Sequence, residues 1–315
     1  MKKWWKKTTP SMKPSKSDYR GGEALTLTTK ALELTVTTSV GPRIISLKPR
    51  GAKAKNLFFE FAPDAPRANG YNLRGGHRLW HSPEHAVRTY QPDDELLAMK
   101  PVKNGIALAQ PVEEKTGIQK ALKIELTGDR TVKLTHALTN HGLWPVECAA
   151  WALTMLKGGG YGVLPLPPKG DHANGDLLPE YALVPWTYTD LSLPVWEMNR
   201  DFLGINVPKA KAPQKLGITN YAGWSAYWVG GVTFVKYSPV IKGATYPDLG
   251  CAWETFTNGE MIEFETLSPL TKLSPGENVQ LTEHWTLIEG LEKPSTPAAF
   301  AKLSAAVGKW IKTLK

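Results

Sequence analysis

Ala24-Leu25-Thr26-Leu27-Thr28-Thr29-Lys30-Ala31-Leu32-Glu33-Leu34-Thr35-Val36 is the stretch that sets the fold class. Leu25 and Leu27, then Leu32, Leu34 and Val36, alternate with Thr and Glu. Side chains two apart on an extended chain share a face, so this stretch predicts half-buried strands. The pattern recurs at Gly41–Leu47, Asn56–Phe61, Gly105–Ala109, Leu122–Leu126, Val132–Leu138 and Val146–Leu156. It returns at Trp224–Val229, Val232–Tyr237, Cys251–Thr257, Glu260–Thr266 and Val279–Ile288. Turn residues such as Thr127-Gly128-Asp129, Asn258-Gly259 and Ser274-Pro275-Gly276-Glu277 fall between these segments. Many strands with few helical patterns between them predict an all-β chain built as a large antiparallel sandwich.

Two stretches break the pattern. Phe300, Leu303, Val307, Trp310, Ile311 and Leu314 recur at helical spacing behind Thr296 and Pro297, which predicts a C-terminal amphipathic helix packed on the sheet. Residues 157–200, with Gly158-Gly159-Gly160 and six prolines from Pro165 to Pro194, read as a long irregular stretch. Its aromatics (Tyr161, Tyr181, Trp186, Tyr188, Trp196) favour an ordered flap over a linker. With no internal repeat or boundary signal, the expected organisation is a basic tail over 1–18, one sandwich over 19–290 and the helix over 291–315.

Of the 315 residues, 42% are hydrophobic and 21% charged, enough apolar side chain for a buried core and too much for a disordered or collagen-like chain. No apolar run approaches the ~20 residues of a membrane-spanning helix. Lys and Arg number 38 against 29 acids, a net charge of +9. Six lysines lie in residues 1–16 and four in residues 299–315; between these ends 28 bases face 29 acids. A nucleic-acid binder carries its surplus on the folded surface, so no nucleic-acid partner is expected. The Met-Lys-Lys-Trp-Trp-Lys-Lys start lacks an apolar segment behind it and does not read as a secretory signal, which makes the cytoplasm the default. It reads as a solvated tail, with membrane-surface contact through Trp4 and Trp5 as the minority alternative. Cys148 and Cys251 are too few for a metal cluster, and their spacing does not say whether they pair.

The densest group of chemically active side chains is Tyr71-Asn72-Leu73-Arg74-Gly75-Gly76-His77-Arg78-Leu79-Trp80-His81-Ser82-Pro83-Glu84-His85. Gly75-Gly76 permits a tight turn and Pro83 stops a helix, so the block reads as a loop on a sheet rim. Indole faces stack on the C–H side of a pyranose while Arg, Asn, His and Glu bond its hydroxyls, so Asn72, Arg74, Arg78, Trp80 and Glu84 are candidate saccharide ligands, with Arg43 beside them. The plain alternative is a polar corner in which these charges satisfy one another and Trp80 fills core. A zinc site on His77 and His81 is weak, because the pair lacks a His-Glu-x-x-His frame. A second group follows late in the chain: Asp248, Glu254, Glu263 and Glu265, with Lys236 as a further candidate ligand. Glu263 and Glu265 share a strand face opposite Phe264. Two carboxylates this close raise at least one pKa, which suits a general base; an exposed edge of ordinary glutamates is the alternative.

Val40-Gly41-Pro42-Arg43-Ile44, the Gly-Gly-His-Arg-Leu-Trp-His-Ser-Pro-Glu block, Tyr246-Pro247-Asp248-Leu249-Gly250 with Glu254, and Glu263-Phe264-Glu265-Thr266-Leu267-Ser268-Pro269-Leu270 together resemble the galactose mutarotase-like (aldose 1-epimerase-like) superfamily. More closely they resemble an uncharacterised bacterial family within it. The resemblance runs from about Tyr19 to Gly290. It implies a β-supersandwich with a saccharide cleft; no cofactor is expected, and a divalent ion among Asp248, Glu254 and Glu263 is left open. It also implies Glu265 as the base that takes the anomeric proton, and His77 or His81 as the acid. The family's strand histidine, counted from Pro145-Val146, falls on Trp151, whose indole N–H donates a hydrogen bond but supplies no proton. Trp151 is left open as core or as stacking platform. Three functions follow: an epimerase-like isomerase or related sugar-modifying enzyme (a two-carboxylate glycosidase, Glu265 with Glu84 or Glu254, being a variant), a non-catalytic saccharide-binding protein, and a peripheral membrane-surface scaffold. The first two require Arg74, His77 and Glu265 to meet at one hollow.

Overall fold

The computed structural model describes residues 14–51, 53–63, 67–68, 70–219 and 221–314. The described chain is nearly all β, its strands falling into two large antiparallel sheets and one two-stranded ribbon. It forms two compact units, Met1–Ala152 with Thr271–His284 and Leu153–Leu270 with Trp285–Lys315. The strands Val146–Lys157 and Asn278–Glu289 are each divided between them.

In the first unit one layer runs Ser15–Tyr19, Gly22–Thr28, Leu32–Thr37, Arg43–Pro49, His77–Ser82 and the start of Val146–Lys157, with Thr271–Leu273 paired to that last strand. The other layer holds Ala98–Val102, Gly105–Ala109, Ile118–Leu126, Thr131–Asn140 and the start of Asn278–Glu289. Leu79, Cys148, Ala150, Ala152 and Leu273 from one layer meet Ile118, Leu138, Val279 and Leu281 from the other in a closed apolar cluster. The quoted stretch folds as expected: Leu25 and Leu27 pair with Val36 and Leu34. The tail expected over 1–18 gives way at Ser15 to a strand, whose Ser15–Asp18 pair with Glu23–Thr26. The reading of Trp4 and Trp5 lies outside the described residues.

In the second unit the Gly/Pro-rich stretch is not loop throughout. It contains the strands Tyr161–Pro165, Leu183–Pro185 and Trp196–Met198. The first pairs with both Phe202–Asn206 and Trp224–Val229. The helix Pro297–Lys312 is capped by Thr296, whose side chain accepts from the Ala299 N–H. Its Phe300, Leu303 and Val307 pack on Tyr161, Val163, Phe202, Trp224, Ala226 and Val235, as the helical spacing predicts. Among the described residues no helix is long and apolar enough to cross a membrane. Both cysteines are buried free thiols; burial raises Cys148 to about 11.

Candidate functional site

His77–Ser82 is a strand, not a rim loop. Sequence alternation fails there because all six residues are buried, polar and apolar alike. Gly75 and Gly76 do make the tight turn that leads into it, at φ 87° and 69°. A side chain on Gly76 would place its Cβ 2.3 Å from the Ile44 carbonyl oxygen. The strand pairs with Arg43 and Ile44 opposite Arg78 and His77. Since side chains alternate, Arg78 and Trp80 look one way and His77, Leu79 and His81 the other. Leu79 belongs to the apolar cluster between the layers, so both histidines point into the core of this unit.

The face opposite the core is aromatic and cationic. The Arg78 guanidinium lies 4.2 Å over the Trp80 ring. Trp80 makes edge contacts with Trp151 at 5.4 Å, Tyr90 at 5.0 Å and Tyr71 at 5.6 Å. Trp151 is therefore part of an edge-packed aromatic cluster with Trp80. Arg43 is fully buried and held three ways, donating to the Gly75 carbonyl at 2.7 Å, to Asp93 at 2.8 Å and to the Tyr71 hydroxyl. Arg74 donates to Asp93 at 2.6 Å and to Asp94. Asn72 also bonds Asp94, at 2.7 Å. The polar-corner alternative thus describes Arg43, Arg74 and Asn72, with Asp93 and Asp94 as the acids. Asn72 and Arg74 also border a surface cavity of about 450 Å³ beside Tyr19, Arg20 and Ser39. Glu84 is exposed and accepts from the Tyr90 hydroxyl.

On the core side, His81 Nε2 lies 3.6 Å from Glu113. Lys120 reaches the same carboxylate at 2.5 Å, and Thr116 and Gln110 donate to it. Burial alone would raise the Glu113 carboxyl, but the Lys120 ammonium and the bonds from His81, Lys120 and Thr116 bring it down to about 2. Burial lowers His81, so it sits as a neutral imidazole. His77 Nε2 meets His136 Nε2 at 3.1 Å, with Glu283 beside both. A strand rises ~3.3 Å per residue, so His77 and His81, four residues apart, are separated by ~13 Å and cannot share one ion.

In the second unit Glu265, Glu254 and Lys215 form one buried cluster. Glu254 and Glu265 face each other across neighbouring strands. Lys215 Nζ lies 2.9 Å from Glu254 and 2.8 Å from Glu265. Glu263 shares the Glu265 face, while Phe264 packs on Trp253 and Tyr227 in the core of this unit, as the alternation predicts. The cluster therefore lies on the sheet face turned away from that core. Burial would lower the Lys215 ammonium, yet Glu265 and Glu254 hold it well above its ordinary value. Burial first, then the charges of Glu265 and Asp248, push Glu254 well above the ordinary carboxyl range, against the pull of Lys215. Asp248 and the neighbouring Leu249 both take left-handed backbone, at φ 52° and 63°, a conformation that side-chain-bearing residues adopt at a cost of ~1–3 kcal/mol each and that clusters at functional sites. The half-buried Trp186 ring lies 4.7 Å from the Lys215 ammonium. The Trp186 backbone N–H donates to the Lys215 carbonyl at 3.2 Å, and the Thr189 hydroxyl accepts from the Lys215 backbone N–H at 3.0 Å. The expected flap is ordered here and clasps the strand that carries Lys215.

Lys236 lies in the interior. It is fully buried and donates to Thr154 Oγ1 at 3.0 Å and to the Phe264 carbonyl at 2.9 Å, inside the second unit. Sequence reasoning also passed over Lys215, Lys120, His136 and Glu283. Each of the last three interrupts an otherwise apolar register: Ile118-Lys120-Leu122-Ile124, Val132-Leu134-His136-Leu138 and Val279-Leu281-Glu283-Trp285. That signal was readable.

No family model and no curated protein sequence matches this chain. Solved structures do. A galactose mutarotase-like protein from Lactobacillus casei ATCC 334 superposes at TM-score 0.56 with 12% identity, over 84% of this chain and 100% of that one. A putative aldose 1-epimerase from Klebsiella pneumoniae subsp. pneumoniae MGH 78578 gives 0.55 and 12%, over 90% and 84%. A TPR-domain containing protein from Parabacteroides distasonis ATCC 8503 gives 0.59 and 12%; the match takes in 87% of this chain but only 48% of that protein. The element order, the paired antiparallel layers and these superpositions agree with the resemblance carried by the sequence blocks: the chain has the galactose mutarotase-like sandwich fold.

Proposed function

We propose that this protein binds a saccharide and interconverts its anomers by proton transfer at Glu265 and Glu254. The observation that carries the reading is the buried carboxylate pair with Lys215 between its members, on the sheet face turned away from the core. Anomer exchange needs a base for the anomeric hydroxyl and an acid for the ring oxygen. Two carboxyl groups whose surroundings separate their proton affinities supply both roles. Glu265 accepts the anomeric proton. Glu254, whose burial favours the protonated form, donates to the ring oxygen. The C1–O5 bond breaks, the open chain rotates about C1–C2, and both transfers reverse on reclosure. The total charge of the cluster is unchanged throughout, with Lys215 as the constant cation, so no buried charge is created or lost. This assignment moves the acid from His77 or His81, which face the core of the first unit, to Glu254, and it drops the requirement that Arg74, His77 and Glu265 meet at one hollow. Trp186, beside Lys215, offers an indole face of the kind pyranoses stack on.

Freshly dissolved α-anomers of common aldoses, followed by NMR, test the reading. The wild type is expected to accelerate equilibration of at least one, with Glu265→Gln and Glu254→Gln each slowing it 100-fold or more, in line with the ~10²–10⁴ supplied by a positioned acid or base. No acceleration of any common aldose removes the catalytic part. A second reading, a non-catalytic saccharide-binding protein, is favoured by Trp151, which stands where the resemblance places a histidine acid and is packed against Trp80. It gives glycan-array binding that Trp80→Ala abolishes, with no turnover.

A further inference from the structure

Three ionisable side chains occupy core positions of the first unit, two of them, His136 and Glu283, in registers flanked by apolar residues. His77 comes from the strand His77–Ser82 in one layer; His136 and Glu283 come from Thr131–Asn140 and Asn278–Glu289 in the other. All three side chains are fully buried. Imidazole nitrogens and a carboxylate oxygen are the donor types that bind zinc-class ions. The three ligand atoms converge. The two Nε2 atoms are 3.1 Å apart, and Glu283 Oε2 lies 3.7 Å from each. The point equidistant from those three atoms is about 2.0 Å from every one of them, the length of zinc–imidazole and zinc–carboxylate bonds at ~2.0–2.2 Å.

We propose that His77, His136 and Glu283 form a binding site for a divalent transition-metal ion of the zinc class, tying the two layers of this unit together. Two neutral imidazoles and one carboxylate are a borderline N/O donor set that suits zinc or cobalt and disfavours calcium and magnesium, which take oxygen ligands. A small shift of the ion out of the ligand plane opens a fourth, tetrahedral position for a water molecule. Each ligand comes from a different strand, so the ion cross-links three strands in two layers. Its role in this position is structural, and it is separate from the carboxylate chemistry at Glu265.

The full-length protein tests this. Metal content is measured by plasma mass spectrometry on the protein as isolated and after dialysis against zinc, and cobalt(II) is titrated into chelator-stripped protein. The expected result is one zinc per chain, a visible cobalt spectrum of tetrahedral intensity that saturates at one equivalent, and a melting temperature that rises with zinc and falls with chelator. His136→Ala and Glu283→Gln lose the cobalt spectrum, while His141→Ala, an exposed histidine elsewhere, keeps it. Should the two variants fail to fold, the wild-type measurements decide alone. Wild-type protein that holds no zinc after dialysis and gives no cobalt spectrum overturns the proposal and leaves the three groups as a proton-sharing hydrogen-bond network. So does a spectrum that survives in folded His136→Ala.

Discussion

Glu113→Gln isolates what a single buried carboxylate does for the core side of the strand His77–Ser82. Lys120 is almost fully buried and reaches Glu113 at 2.5 Å. The neutral amide leaves that ammonium without its counter-charge, a loss of ~3–5 kcal/mol for a broken buried pair. The pH dependence gives a second, independent figure. Glu113 is depressed from 4.5 to about 2. A carboxyl with a depressed folded-state pKa stabilises the fold above its unfolded value, and that contribution disappears as pH falls through the folded one. At ~1.36 kcal/mol per tenfold change in proton affinity, the full contribution is about 3 kcal/mol near neutrality, of which about 2 kcal/mol is gone by pH ~3. Urea denaturation followed by tryptophan fluorescence, at pH ~6 and pH ~3, reads both numbers. The wild type is expected to exceed Glu113→Gln by several kcal/mol at the higher pH, and the gap is expected to shrink by about 2 kcal/mol at the lower. Parallel loss of stability in both proteins over that range would mean that the Lys120–Glu113 pair is not the acid-sensitive element, and the reasoning would fail.

Further outcomes follow from the same geometry. Trp80→Ala, which empties a site walled by Tyr71, Tyr90, Trp151 and Arg78, is expected to cost ~3–5 kcal/mol; Trp80→Phe recovering most of it in thermal melts would confirm packing as the cause. Gly76→Ala puts a Cβ against the Ile44 carbonyl at a left-handed φ of 69°, and should destabilise by ~1–3 kcal/mol, whereas an unchanged melting temperature would refute the turn geometry. Glu254 carries a raised proton affinity from burial, Glu265 and Asp248. Its contribution to stability is therefore complete below the ordinary carboxyl value and is lost as pH rises. The melting temperature of Glu254→Gln should gain on the wild type from weakly acidic to alkaline pH, and the opposite trend would reverse the acid–base assignment.

The β-sandwich was legible because period-two alternation survives wherever one strand face is dry and the other wet. Ile118–Leu126 shows this most plainly, its burial alternating without a break, and the strands Gly105–Ala109, Trp224–Val229 and Val232–Tyr237 match the expected bounds. The helix Pro297–Lys312 was legible for the corresponding reason at helical period. Where both faces are dry, the signal vanishes. His77–Ser82 has Arg and Trp on one side and two His on the other, all buried, so a strand reads as a loop. The same loss hid Tyr161–Pro165 behind its glycines and proline. Asn56–Phe61 erred the other way: only Phe58 and Glu60 make bridges, and those isolated, while Asn56 turns its side chain back on the Leu47 and Phe58 N–H groups.

The candidate site shows the same physics from the chemical side. Clustering in sequence found Arg43, Arg74, Arg78 and Trp80 because they sit on adjacent strands or at one turn. It could not find Lys215 for Glu265, since register across strands, not chain proximity, joins them. A more productive search asks which strand registers place a charge where the period demands an apolar side chain. Lys120, His136 and Glu283 all answer it. Each would be an unpaired buried charge, costly by several kcal/mol, unless a partner from another strand met it, so each announces a second residue before any coordinates are known. Lys120 has Glu113, and His136 has His77 with Glu283. A charge in an apolar register is thus a statement about a contact, and it is the reading by which the sequence could have assigned His77 to the core rather than to a rim.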